Sequence, residues 1–307
     1  MHTSTTSTVP LEPWTAEQLA EAAQGQWHQG RVPQGDIKRI LTDSRHAEQG
    51  DAFLALKGER FDAHDFIAQV AGNGCAVAIV SHPVDAEICQ LVVEDTRLAL
   101  GRLGAYRRAR NPQLKVIALT GSSGKTTTKE MLGSILSRLA PTLITRGNLN
   151  NDLGVPMMLL ELRQEHQYAV MELGASHQGE IDYTSNLVQP QAAGIINIGT
   201  AHMGEFGGRD GICRAKSEIY SHIAKIGTSI VPAADDFSDK IRSAVQTDNV
   251  MSFGAGGDVF ATNIELYPQS SSFTLNTPAG ARHLDLPFAG EHNVQNALAA
   301  VAFALSI

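Results

Sequence analysis

The sequence predicts an α/β protein: a small N-terminal α/β domain followed by a larger domain on a parallel β-sheet with an antiparallel β edge. Three observations carry this. Continuous apolar runs such as Val-Ile-Ala-Leu at 116–119 suit a strand buried on both faces of a parallel sheet. Such runs alternate with stretches of helical spacing, the pattern of right-handed βαβ crossovers. Asn111-Pro112 separates two differently patterned halves, because the residue before a proline avoids the helical region.

The first domain, 1–112, opens with a helix that has Thr15 as N-cap and Gln18 at the third helical position. Strands are expected at 37–42, 52–56, 76–80 and 91–93. A helix follows at 97–110, carrying Leu98, Leu100, Leu103 and Tyr106. In the second domain, 113–307, strands are expected at 116–119, 143–145, 169–171 and 194–198, and helices at 126–139, 155–162, 181–187 and 211–223. Short strands with Gly/Pro turns at 252–288 predict the antiparallel edge. An apolar helix at 293–307, with Asn293 as N-cap, comes last.

Composition narrows the function. The 307 residues suffice for about two domains, and 43% apolar with 18% charged residues excludes disordered, collagen-like and coiled-coil chains. With a formal charge of -8, and no basic cluster beyond Arg107-Arg108-Ala109-Arg110, a nucleic-acid partner is not expected. Three scattered cysteines without CxxC argue against a disulfide scaffold or cysteine zinc site and for a cytoplasmic setting. Residues 1–8 lack the regions of a signal peptide. The longest apolar run, 297–305, is short of the roughly 20 residues of a spanning helix, so no membrane insertion is expected. A monomer is expected.

The strongest motif is Thr120-Gly121-Ser122-Ser123-Gly124-Lys125-Thr126-Thr127, between a buried strand and a helix. Glycines let backbone N–H groups curl around phosphate oxygens, and the helix N-terminus adds positive potential. Lys125 can reach the β/γ-phosphates and the Thr126 hydroxyl can ligate Mg²⁺, which makes this a P-loop-type ATPase domain. Leu119 stands where the full motif has its first glycine. A P-loop kinase, GTPase or ATPase is equally compatible with these residues.

Other candidates are bland by themselves. Glu172 and His202 follow strands, and ligands in open α/β sheets bind outside strand carboxyl ends. Lys216 reads as a solvated helix lysine, and Asn148, Asn150 and Asn151 as an Asx-rich turn. Arg45, beside Asp43 and Ser44, can hold a phosphate bidentately.

Taken together, 43–45 with 53–66, 120–126, 147–156, 172–181, 201–207 with Ala215-Lys216, and 290–300 resemble the Mur ligase family over nearly the whole chain. These are ATP-dependent amide ligases of peptidoglycan-precursor synthesis. The stretch 53–66 is similar to the member that joins D-alanyl-D-alanine to UDP-N-acetylmuramoyl-tripeptide. The third-residue-adding synthetase and folylpolyglutamate synthase are runners-up. The resemblance implies ATP and Mg²⁺, with the tripeptide carboxylate phosphorylated to an acyl phosphate that the dipeptide amine then attacks.

It further implies a UDP-substrate-binding role for 1–112 and an ATP-binding role for 113–307. Catalytic roles fall to Lys125, Lys216 and His202, nucleotide contacts to Gly121, Ser122, Ser123, Gly124, Lys125, Thr126 and Thr127, and adenine contacts to Asn293 and Asn296. Metal positions are Thr126, Glu172 and His202; substrate positions are Ser44, Arg45, Asn148 and Asn151. Lys216 matches a lysine carrying a carbamate in several members. Family enzymes have a third, C-terminal domain, so the chain is expected to be a fragment that binds nucleotide and nucleotide-peptide without ligating.

Overall fold

Thr15 Oγ1 accepts from Gln18 N at 3.2 Å while Thr15 N donates to Gln18 Oε1 at 3.1 Å, completing the expected capping box of α1 (Ala16–Ala23). The computed structural model describes residues 9–58, 61–200 and 203–307. Its chain divides into two units, one of residues up to Pro112 plus Pro156–Glu165, the other Gln113–Val155 plus His166–Ile307. The segment Pro156–Glu165, read from sequence within the second domain, groups with the first. Gly104 leaves it room, since a Cβ there would lie 2.9 Å from Pro156 Cα.

In the first unit β1 (Gln26–Trp27), β2 (Ile40–Leu41), β3 (Ala52–Leu54), β4 (Val77–Val80) and β5 (Cys89–Val92) form a sheet ordered β1-β5-β4-β3-β2. β2 to β5 run parallel and β1 lies antiparallel on β5. Phe53, Ala78 and Val80 pack with Ile67 and Val70 of α2 (Ile67–Gly72). Leu54, Val77 and Ile79 alternate with them on the opposite face and are equally buried, so both faces of the sheet are covered there. The strand expected at 37–42 is shorter, because Ile37 makes only an isolated bridge to Trp14. Asp95 caps α3 (Thr96–Ala109) by accepting from Arg97 N and Leu98 N.

The second unit is built on six parallel strands: β6 (Lys115–Thr120), β7 (Thr142–Ile144), β8 (Tyr168–Glu172), β9 (Ala192–Ile195), β10 (Thr228–Pro232) and β11 (Asn249–Phe253). Their order is β11-β10-β9-β6-β8-β7. The chain leaves β6 for β7, returns to β8, then crosses to β9 on the other side, so the sheet's switch point lies beside β6. Its helices are α4 (Lys125–Leu136), α6 (Glu180–Val188), α7 (Met203–Phe206), α8 (Arg209–Ser217), α9 (Ser238–Ala244) and α10 (Glu291–Leu305), while α5 (Gly154–Leu160) starts here and continues into the segment that groups with the first unit.

β12 (Phe260–Leu266), β13 (Ser271–Thr277) and β14 (Gly280–Leu286) are antiparallel as expected, but they form a separate three-stranded sheet. The edge of the main sheet is parallel β11. Phe273 and Leu286 share one core with Leu132 and Leu136 of α4 and Leu298 and Phe303 of α10. Each such side chain stabilises by about 1.5–3 kcal/mol through burial, which ties α10 to the helix carrying the phosphate loop. Asn293 is not the N-cap of α10. Gly290, at φ 91°, holds that position, and Asn293 Nδ2 donates to Ala289 O at 2.8 Å. No helix among the described residues is long and apolar enough to cross a membrane.

Candidate functional site

The phosphate loop occupies the four residues between Thr120, the end of β6, and Lys125, the start of α4. Gly124 sits at φ 74°, and a Cβ there would collide with Asn296 Oδ1, so backbone and space both demand glycine. Asn197, just beyond β9, holds the loop. Its carbonyl accepts from Ser122 N at 3.1 Å, its Oδ1 accepts from Ser123 N at 3.0 Å, and its Nδ2 donates to Ser123 O at 3.0 Å. Lys125 Nζ folds back and donates to Gly121 O at 2.9 Å. The unpaired N–H groups that open a helix are ready anion donors.

Two cavities meet at this loop. The larger, about 640 Å³, has Ser123, Gly124 and Asn197 on one side and Asp235, Gln295 and Asn296 on the other. The smaller, about 300 Å³, is lined by Lys125, Thr126, Thr127, Asn148, Asn150 and Glu172, with Gly124 again in the wall. Asp235 is fixed by accepting from Ile198 N at 2.8 Å and Phe237 N at 2.9 Å.

Glu172 ends β8 and is buried. Asn150 Nδ2 donates to its Oε1 at 2.8 Å, and Thr126 Oγ1 to its Oε2 at 3.4 Å. From behind, Lys129 Nζ lies 4.0 Å from Oε2. Burial lowers the Lys125 pKa, with Glu172 pulling the other way. Lys216, on α8 and 6% exposed, is pushed down to about 8 by burial first and by the charge of Lys125 second. Thr126 and Glu172 offer hard oxygen donors, which suits Mg²⁺. Among the described residues no three His, Cys, Asp or Glu side chains converge as a metal site.

The structure brings together the expected residues 121–127, Asn148, Glu172 and Asn296. Asn293 is not in either cavity lining, and Asn151 Oδ1 accepts from Gly154 N at 2.8 Å, capping α5. His202 lies outside the described residues. Ser44 and Arg45 belong to the first unit, where Arg45 is 80% exposed and forks onto Asp43 at 2.9 and 2.6 Å. That guanidinium holds the Asp43 carboxyl well below the usual range. Sequence reasoning missed Asn197, Asp235, Gln295 and Lys129. The strand-end rule that pointed to Glu172 applies equally to Asn197.

Residues 36–119 match the Mur ligase family catalytic domain and 119–304 the Mur ligase middle domain. The chain is 44% identical over 296 residues to the UDP-N-acetylmuramoyl-tripeptide–D-alanyl-D-alanine ligase of Escherichia coli K12, covering 95% of this chain and 65% of that protein. A crystal structure of MurF from Acinetobacter baumannii superposes with a TM-score of 0.95 at 78% identity, over 97% of this chain and 66% of that one. A MurF ligase from Thermotoga maritima in complex with ADP gives 0.78 at 28% identity, over 86% and 62%. The chain thus spans about two thirds of the length of the relatives it matches.

Proposed function

The chain belongs to the Mur ligase family, and from that premise we propose that it supplies the ATP-dependent part of an amide ligase. That enzyme joins D-alanyl-D-alanine to UDP-N-acetylmuramoyl-tripeptide in the cytoplasm. The observation that carries this reading is Gly124, the side-chain-free wall between the two cavities. Adenine and ribose occupy the larger cavity, with Gln295 and Asn296 at the base and Asn293 bracing the helix behind. The phosphates pass over Gly124, and the γ-phosphate reaches Lys125, Thr126 and Glu172 in the smaller cavity. The ADP complex of the Thermotoga relative supports a nucleotide here.

The chemistry needs two anions held side by side, a carboxylate and a triphosphate, and positioning with charge compensation supplies most of such catalysis. Lys125 steadies the γ-phosphate and Asn148 orients the acceptor. Thr126, Glu172 and His202 would hold Mg²⁺, which when bound neutralises charge on the phosphates. The substrate carboxylate forms a bond to the γ-phosphorus and ADP leaves. The dipeptide amine then attacks the acyl carbon, and phosphate departs with the acyl oxygen. Ser44 and Arg45 of the first unit take the uridine-diphosphate end.

Lys216 fits the carbamate that the family resemblance implies. Near pH 8 a large share of its amine is neutral, the form that adds to CO₂ with loss of a proton, and the product is an anion.

The test is ADP release by the intact enzyme with each substrate omitted in turn. Release that needs both UDP-N-acetylmuramoyl-tripeptide and D-alanyl-D-alanine supports the ligase. Release with neither would favour a P-loop phosphohydrolase instead.

A further inference from the structure

Lys129 is a polar side chain with no place in the reaction so far. It lies on α4, one turn beyond Lys125, and is 1% exposed. It lines neither cavity, so it touches no substrate. Its Nζ has two anionic neighbours: Glu130 Oε1 at 3.0 Å and Glu172 Oε2 at 4.0 Å. Glu130, half exposed, is the nearer partner, and Glu172 is the buried one. An ammonium this deep is costly unless paired, so Glu172 and Lys129 stabilise one another.

The pocket around Glu172 is therefore not an acidic one. Its buried carboxylate faces Thr126 and Asn150 in front, has Lys129 behind, and feels the charge of Lys125 at the loop. Lys125 and Lys129 offset Glu172 and Glu130, so while Lys216 is unmodified the site has no net negative charge to hold a cation. Such a site gives a bare divalent cation no net attraction, while Lys125 at the loop still draws a polyphosphate. Once phosphates bring several negative charges, the balance inverts and a cation becomes welcome at Glu172.

We propose that Lys129 is a positioning residue acting through Glu172: it fixes the carboxylate from behind and bars a free divalent cation, so that metal enters only with the nucleotide's phosphates. The inference rests on reading the smaller cavity as the Mg-nucleotide site.

The experiment titrates Mn²⁺ by electron paramagnetic resonance, with and without ADP, into the wild-type chain, Lys129→Met and Lys129→Arg. In the wild type, free Mn²⁺ binds at least about tenfold more weakly without ADP than with it, the scale of one unit-charge interaction near a protein surface. Lys129→Met tightens nucleotide-free Mn²⁺ binding by about tenfold, while Lys129→Arg, which keeps the charge, behaves as wild type. A wild-type chain that binds one free Mn²⁺ as tightly without ADP as with it overturns the proposal, and that measurement needs no variant. So does a folded Lys129→Met with wild-type Mn²⁺ affinity. If wild type binds neither ADP nor Mn²⁺–ADP, the nucleotide-site reading falls, and the proposal with it.

Discussion

The molecule pairs carboxylate with cation in two contrasting settings. Asp43 and Arg45 of the first unit meet in solvent, in an ideal fork. Glu172 and Lys129 of the second meet at longer range, out of water. Exposed pairs are screened and contribute little, while removing one partner of a buried pair costs about 3–5 kcal/mol because the other charge is stranded. Good geometry thus marks the weaker interaction here, and burial the stronger. The exposed fork keeps a guanidinium available for a ligand; the buried pair keeps a carboxylate where it is.

Four substitutions sharpen or break that contrast. Lys125→Ala should have the largest effect: in the intact enzyme, phosphate release falls by at least about a thousandfold, because charge compensation at the transferring phosphoryl group is lost. Near-normal turnover would remove the loop from the chemistry. Gly124→Ala comes next. Backbone strain of about 1–3 kcal/mol and the clash with Asn296 should weaken Mg-ATP by tenfold or more, read by calorimetric titration. Unchanged affinity would mean that the wall between the cavities moves freely.

Lys216→Met probes a buried ammonium that feels the like charge of Lys125. The native Lys216 titrates near 8 against an ordinary 10.5, so the native state releases its proton first as pH rises. Below about pH 8 both states are protonated and the native state carries the full burial cost. Between pH 8 and 10.5 that cost is relieved. The unmodified wild type should then be less stable than Lys216→Met by about 1–3 kcal/mol at pH 7, with the gap closing by pH 10. Denaturant melts at both pH values read this directly, and a pH-independent gap would contradict it. Asp43→Asn is the smallest: the melting midpoint stays put, and only affinity for the uridine-diphosphate substrate changes as Arg45 is released. A clear drop in melting temperature would erase the difference between the two settings.

Legibility from sequence followed the same physics. β9 is wholly buried, and β6 and β8 are buried after their first residues, so all three wrote apolar runs. β10 begins Thr-Ser and ends in Pro232, β1 has two residues, and β11 is half exposed; none carries a period that separates it from loop. Asn293 looked like a cap because its side chain suits one, yet Gly290 takes the turn. The phosphate loop and Glu172 were readable because glycine spacing and strand ends are local features. Lys129 was not, and Lys216 was reached only through the family resemblance: a lysine on a helix ordinarily faces water, and only packing shows that both are buried. The grouping of Pro156–Glu165 with the first unit rests on contacts far apart in sequence, such as Asn111 Nδ2 with Arg163 O at 3.2 Å.

The glycine wall also has a medicinal consequence. Because Gly124 borders both cavities and projects no side chain into either, two weak fragments, one per cavity, can be joined by a short tether crossing it. Linking makes the second fragment's binding intramolecular, at millimolar effective concentration for a short flexible tether. Resistance by adding bulk at the crossing point carries its own penalty, since a Cβ at Gly124 meets Asn296 Oδ1 and strains the backbone.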